Sequence, residues 1–498
     1  MTLTLNLSAV WPVLAPALGA LLVLVLDVGL PRSRRVHQVH LGLAAAALLG
    51  GGAATLPGLP QARGDRLGAF CTPSGDCLYA AGSVTSGLQL LALGSALVVL
   101  VLTWGSWATA PANGRPAVQV FLLLAATAGV VAVPAARDLG SLLVALELAT
   151  LPAVALVALE SRAARVPRAV DGAVALLTTS LVSFALLALG AALWVAATGT
   201  GMLSPAAARA AAQAGPNGPL LVLAAVLAVS GIAFKLSAVP FHAWTPLTYS
   251  AAPLPVTVYL AGVSKVAALA ALVVLVEALS GAAGFTLLVL GLLAALSMTV
   301  GNVMALRQVD LVHLLAWSAV AQAGWLLLPL SAVSARAVQA AAGYLAVYVV
   351  ATVLAFAVVI AVAGAPGRGI RLEHHRGLAR DHPLTAAALA MALLALAGLP
   401  PAVVGLVAKV VVLRPVAGEG TWWLAVVAAL NVALGIAVYL RWIATLVQRP
   451  EHVRGEGMQA GTDPRGRTAY RLSWPHRVVI SVLASLLVLG SIAPVGIW

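Results

Sequence analysis

The sequence predicts an all-α polytopic membrane protein of about fourteen transmembrane helices, and three observations carry that expectation. Of 498 residues, 62% are hydrophobic and only 9% are charged, whereas a soluble domain is about a quarter charged. Apolar runs recur from end to end, each of roughly 18 residues or more and so long enough to cross a hydrocarbon core of about 30 Å. The runs are continuous and rich in Ala and Leu, without strict alternation. That favours helices over barrel strands, the two structures that satisfy their own backbone in lipid.

The first run, 10–30, has no basic segment before it and is followed by Arg32, Arg34 and Arg35. It reads as a retained span with its N-terminus outside, not as a signal peptide. Runs 39–57 and 83–104 flank the polar loop PQARGDRLGAFCTPSGDC, which holds both cysteines, Cys71 and Cys77. An external loop makes a disulfide the expected state, with two free thiols as the alternative. The next ten runs read as two five-span units. The first comprises 117–135, 139–158, 170–197, 218–239 and 255–279; the second comprises 284–304, 311–331, 336–364, 384–413 and 421–446. Prolines interrupt each unit late, at Pro240, Pro246, Pro253 and Pro255 and again at Pro400 and Pro401, and proline breaks a helix interior. A last run, 477–496, follows. The chain therefore divides into 1–116, 117–279, 280–446 and 447–498.

Orientation follows from the arginines. With the N-terminus outside, the inside loops carry 18 arginines and the outside loops 6, in keeping with the positive-inside rule. An even number of spans leaves both termini outside, and Gln448 to His476 becomes the longest polar inside segment. The same scatter of charge argues that the net +13 is an orientation signal and not a nucleic-acid surface, which would cluster its basic residues.

The informative residues are ionisable groups within apolar runs. Each costs about 2.5–3.5 kcal/mol on insertion scales, so a functional role is the default expectation. The chain has 25 arginines and three lysines, and Lys235, Lys265 and Lys409 all sit in or beside spans. Arginine keeps its proton, whereas a buried lysine can release one. The three lysines are therefore expected to carry protons; structural counter-charges or snorkelling side chains are the alternative. Glu147 lies deep in the fifth span, and Lys235 is its expected partner. Asp27, Glu160, Asp171 and Glu277 fall near span ends, and Arg137 and Asp138 at a membrane surface. His242, after the broken segment FKLSAVPFHAWTP, and His313, at the start of the tenth span, are possible relays or helix-end groups. His374, His375 and His382 read as solvated loop residues. No histidine spacing suggests a metal.

The runs GIAFKLSAVPFHAWTPLTYSAAPLPVTVYLAGVSKVAA and GNVMALRQVDLVHLLAWSAVAQAGWLLL resemble the signature of the antiporter-like membrane subunits of respiratory complex I. GLARDHPLTAAALAMALLALAGLPPAVVGLVAK, followed by LNVALGIAVYLRWI, is similar to subunit N of NADH-quinone oxidoreductase in particular. The resemblance runs from Leu14 onward. It implies two inverted five-helix repeats, a proton path along the membrane midplane, and a location in the bacterial plasma membrane beside other complex I subunits. By motif position, Glu147 matches the family's fifth-helix glutamate, Lys235 the seventh-helix lysine, Lys265 the bridging lysine and Lys409 the lysine of the broken twelfth helix. It implies no cofactor in this chain: NADH, flavin, iron–sulfur clusters and quinone belong to partner subunits. Pro246-Leu247, Ser250-Ala251, Val312-His313 and Trp317 depart from the family pattern. A cation/proton antiporter or membrane hydrogenase subunit of the same fold, an independent secondary transporter and a membrane scaffold are the competing expectations.

Overall fold

A computed structural model describes residues 6–30, 33–59, 67–72, 76–108, 116–160, 165–282, 284–332, 335–365, 368–418, 420–449 and 472–494. Arg32, Arg63, Arg66, Arg115, Arg162, Arg454, Arg465, Arg467 and Arg471, and most of the Gln448–His476 segment, lie outside the described residues.

Three helices open the chain: α1 (Leu7–Gly29), α2 (Arg34–Thr55) and α3 (Ser83–Ala108). The first five-span unit follows as α4 (Pro116–Ala132), α5 (Leu139–Ala158), α6 (Val166–Thr198), a short α7 (Pro205–Gln213), α8 (Asn217–Leu236), α9 (Trp244–Ala251), α10 (Leu254–Ala261) and α11 (Val263–Ala278). The second is α12 (Gly284–Leu306), α13 (Leu311–Leu327), α14 (Ala335–Ala363), a short α15 (Leu378–Asp381), α16 (Pro383–Ala397), α17 (Val403–Gly418) and α18 (Trp422–Val447), and α19 (Trp474–Ile492) closes the chain. Among the described residues, thirteen helical stretches are long and apolar enough to cross a membrane. The remaining expected span, 384–413, is the pair α16 and α17, interrupted at Pro400-Pro401. The α6 helix begins at Val166, ahead of the expected 170, because Pro167 stands at a helix start, where its missing N–H costs nothing.

Burial separates centre from rim. The α10–α11 stretch is 94% buried and α13 with the turn after it 89%, whereas α6, α18 and α19 turn most of their apolar surface outward, as lipid-facing helices do. Across the centre, α9 packs on α13 and α10 on α14, so the two units meet through the segments that follow the break in the first.

The helix pairs that open the two units correspond residue by residue. Gly129 of α4 lies so close to α5 that a Cβ there would fall 2.3 Å from the Ala149 nitrogen; Gly301 of α12 lies 2.4 Å from the Ala321 nitrogen of α13 in the same sense. Asp138 N-caps α5, accepting from the Ser141 N–H at 2.9 Å, and Asp310 N-caps α13, accepting from Val312 and His313 at 2.9 and 3.0 Å. Gly129 and Gly301, Asp138 and Asp310, and Ala149 and Ala321 are all 172 positions apart. Each aspartate also pairs in a single β-bridge with the segment after the next long helix, Asp138 with Met202 and Asp310 with Arg371.

Beside α1, β1 (Leu67–Cys71) and β2 (Cys77–Ala81) form an antiparallel hairpin with Cys71 opposite Cys77, and the two sulfurs are joined in a disulfide. Ala69, Tyr79 and Ala81 pack it onto Ala9, Val10 and Ala135. Gln89 of α3 donates to the Tyr79 hydroxyl at 2.8 Å.

Candidate functional site

Capping by Asp138 fixes the start of α5 and so the depth of Glu147, nine residues on, about 13 Å along the helix at 1.5 Å per residue. Lys235 is the penultimate residue of α8. Its Nζ donates to Glu147 Oε1 at 3.0 Å, to Thr150 Oγ1 at 2.8 Å and to Ser180 Oγ at 3.3 Å. Three acceptors match the three hydrogens of an ammonium group. The Lys235 and Glu147 side chains are 10% and 17% exposed, so the charges meet out of bulk contact. Thr150 reaches the same nitrogen because it lies three residues beyond Glu147, on the same face of α5. A cleft adjoins Lys235, lined mainly from α5, α6, α8 and α11.

The prolines stop α8 as expected. Ser237 follows in the left-handed conformation (φ 72°), and the last carbonyls of α8 lose their helical partners. Lys265 of α11 fills the gap. Its Nζ donates to the Leu236 carbonyl at 3.0 Å, to the Lys235 carbonyl at 3.4 Å and to the Ser237 hydroxyl. A cation at a helix C-terminus also meets the negative end of the helix dipole. The ammonium lies 5.1 Å from the centre of the Trp244 ring. Trp244 is held in turn by its indole N–H donating to the Phe234 carbonyl at 2.8 Å. Ser237 tolerates a left-handed backbone because its hydroxyl is a ligand of Lys265 and accepts from Thr245 Oγ1 at 2.5 Å.

The second break repeats this geometry. The α16 helix ends at Ala397, Gly398 follows with φ 81°, and Lys409 of α17 donates to the Ala397 carbonyl at 2.9 Å. Its ammonium lies 4.7 Å from the Trp325 ring centre. Lys265 is 1% exposed and Lys409 4%. The sequence pairs Lys409 with Lys235 across the two units. In the structure its hydrogen-bonding counterpart is Lys265: each caps a broken helix and rests on a tryptophan. The second unit has no equivalent of Glu147, since the position 172 residues on is Ala319. The counterpart of Thr150 is Gln322. The Gln322 amide donates to Tyr439 OH at 2.9 Å and to the Leu396 carbonyl at 3.3 Å, and its oxygen accepts from Tyr344 OH. Ser318 shares a hydrogen bond with Tyr439 at 2.7 Å. Tyr348 of α14 donates to the Ala261 carbonyl at 2.9 Å, satisfying the interruption between α10 and α11.

Among the described residues, no hydrogen bond joins a histidine to a lysine. The His242 ring packs on Trp317 with centroids 5.2 Å apart. His313 is 37% exposed and faces its own N-cap, Asp310, at 3.3 Å; this is a helix-end arrangement. His375 corrects the solvated reading: it is fully buried, its ring edge-on to Trp442, whose indole N–H donates to Nδ1 at 3.4 Å. Burial, with Arg368 and His374 nearby, pushes its imidazole down to about 3. The sequence reading also missed Thr150, Ser180, Ser237, Trp244, Trp325 and Gln322. Thr150 and Ser237, at helical and turn spacing from charged residues, were the legible ones. Among the described residues, no group of three or more His, Cys, Asp or Glu side chains is placed to hold a metal ion.

Comparison with known proteins places this geometry in a family. Residues 136–435 match the family described as NADH:quinone oxidoreductase/Mrp antiporter, transmembrane. The chain is 41% identical to NADH-quinone oxidoreductase subunit N 2 of Streptomyces griseus subsp. griseus, covering 89% of this chain and 83% of that one. A chain of respiratory complex I from Thermus thermophilus, solved with bound aureothin, superposes with a TM-score of 0.76 at 30% identity over 97% of both chains. A chain of the Mrp complex from Dietzia sp. DQ12-45-1b superposes with a TM-score of 0.81 at 20% identity over 98% and 95%, and so shares the fold. With this coverage and identity, the chain belongs to the subunit N family of NADH-quinone oxidoreductase.

Proposed function

We propose that this chain is the proton-translocating membrane subunit of an NADH-quinone oxidoreductase, with Glu147, Lys235, Lys265 and Lys409 as its proton-carrying groups. The observation that carries the reading is the contact of two lysines through one helix end: Lys235 holds Glu147 at 3.0 Å, while the buried Lys265 holds the carbonyls of Lys235 and Leu236. While Glu147 faces Lys235, the ammonium keeps its counter-charge. When the carboxylate turns away, and once Lys265 has passed its own proton on toward Lys409, the Lys235 ammonium gives up a proton to the neutral Lys265 amine, whose charged form the end of α8 stabilises. Lys409, capping the second break, receives the charge and releases it. Separating a buried ion pair costs about 3–5 kcal/mol, and moving one charge against 100 mV costs about 2.3 kcal/mol. The switch is therefore of a size to do the work.

Electron transfer belongs to partner subunits in this reading, which would hold the NADH site, the flavin, the iron–sulfur clusters and the quinone pocket. The chain sits in the bacterial plasma membrane with both termini outside and contacts other membrane subunits of the complex. The test uses the assembled complex in inverted membrane vesicles. A Lys235→Met variant should lose NADH-driven acidification while NADH oxidation by an artificial acceptor persists. Full acidification would contradict the assignment. Purification of the chain alone, without redox subunits, would favour a cation/proton antiporter of the same fold.

A further inference from the structure

The cleft beside Lys235 carries five hydroxyl groups, on Thr150, Thr179, Ser180, Ser183 and Ser264. Four have committed hydrogens. Thr150 donates to the Leu146 carbonyl at 2.6 Å, Thr179 to Ala175 at 2.7 Å, Ser183 to Gly231 at 2.6 Å and Ser264 to Leu260 at 2.7 Å. Three of these are back-bonds to the carbonyl four residues earlier, a common resting state of a helical hydroxyl, and that of Ser183 crosses from α6 to α8. Ser180 is the exception. It is 5% exposed and accepts from Lys235 Nζ at 3.3 Å, and its own hydrogen has no acceptor among the described residues. A water needs room for about one molecule and two or more polar partners, and the cleft beside Lys235 and its hydroxyls offers both.

We propose that Ser180 is the relay through which Lys235 exchanges protons with water in this cleft. The reading rests on the proton-carrying role of Lys235 given above. In the release direction, an N–H bond of the Lys235 ammonium breaks and its proton joins Ser180 Oγ. In the same step the hydroxyl proton of Ser180 passes to a cleft water. The products are a neutral amine, an intact serine hydroxyl and a hydronium ion, so one proton has moved and no net charge is made. Uptake is the reverse. Thr150 cannot do this without breaking its bond to Leu146; it stays a fixed acceptor that steadies the ammonium when Glu147 is turned away. The two hydroxyls on Lys235 thus have different duties, set by where their hydrogens point.

The test compares Ser180→Ala, Ser180→Thr and Thr178→Ala in the assembled complex, with Lys235→Met alongside. The readouts are NADH-driven acidification in vesicles, its ratio in water and deuterium oxide, and the amount of assembled complex. Thr178 is exposed on the same helix and bonds to the Val174 carbonyl at 2.9 Å. Ser180→Ala should assemble normally but acidify about a hundredfold more slowly, the lower end of what a positioned proton-transfer group contributes. Ser180→Thr should recover most of the rate, with a solvent isotope effect like that of the unaltered chain, and Thr178→Ala should match it. Normal acidification in Ser180→Ala, with Lys235→Met inactive, would overturn the relay and leave the lysine assignment standing. Equal loss in the alanine and threonine variants would also overturn it, because the hydroxyl would then not be what matters. Normal acidification in Lys235→Met would remove the underlying reading itself. If Ser180→Ala assembles poorly, the isotope effect of Ser180→Thr against the unaltered chain decides the question: an unchanged value supports the relay and its disappearance refutes it.

Discussion

Lys409 donates to the carbonyl of Ala397, the last residue of the broken helix before it, at 2.9 Å. One ammonium is therefore both a candidate proton carrier and a structural cap, and the two duties separate by substitution. Lys409→Met leaves the Ala397 carbonyl buried without a partner, a loss of about 1–3 kcal/mol, and removes the proton carrier. Lys409→Arg keeps a donor in reach but cannot release its proton. Thermal unfolding of the purified complex should show Lys409→Met less stable than Lys409→Arg, while both fail to acidify vesicles.

Trp325 gives the Lys409 ammonium a partner where the second unit has no counterpart of Glu147, at 4.7 Å from ring centre to nitrogen. Desolvated cation–π contacts contribute about 2 kcal/mol. Trp325→Leu should therefore slow acidification by up to about thirtyfold, since 1.4 kcal/mol corresponds to a factor of ten. Trp325→Phe, which keeps a ring face, should lose much less. Equal rates for the two variants would show that the ring only fills space.

Gly398 has a positive φ of 81°, and a Cβ there would lie 2.8 Å from Lys409 Cδ. Gly398→Ala meets both backbone strain, about 1 kcal/mol or more, and displacement of the lysine. Acidification should fall in parallel with stability, and Gly420→Ala serves as the control. Gly420 has a similar φ of 73° but open space around its Cβ position, so it should cost stability alone.

His375 predicts a pH dependence. Its folded value lies near 3, below the ordinary 6.5, so the unfolded loop binds the extra proton. Its contribution is fully present above pH 6.5 and is lost as pH falls toward 3. At pH 5, packing of the loop on Trp442 should be weaker by about 2 kcal/mol than at neutral pH. Tryptophan fluorescence of the complex during acid titration would report the release, and His375→Phe should flatten the response.

Much of this was legible in the sequence, for a physical reason. Apolar length decides where a chain can cross lipid, so the spans and both proline breaks could be read directly. Restriction of lysine to Lys235, Lys265 and Lys409 singled out the groups proposed to exchange a proton. The 172-residue correspondence was also present, as Asp-Leu-x-x-Leu-Leu at 138–143 and 310–315, but it stayed hidden without the glycine contacts that align the helices. What could not be read were pairings made by the breaks themselves. Lys265 and Lys409 reach the ends of α8 and α16 only because Ser237 and Gly398 turn the chain left-handed, and a sequence does not print a dihedral angle. His375 misled for a related reason: arginines surround it in sequence, whereas in space it lies under Trp442.

In the proposed switch Glu147 and Lys235 act as one unit. Acidification per NADH oxidised, measured in vesicles for Glu147→Gln, Lys235→Met and the double variant, tests that coupling. The two substitutions should be strongly non-additive, with the double variant no worse than Lys235→Met alone. Losses that multiply, each residue impairing acidification independently of the other, would contradict a switched ion pair.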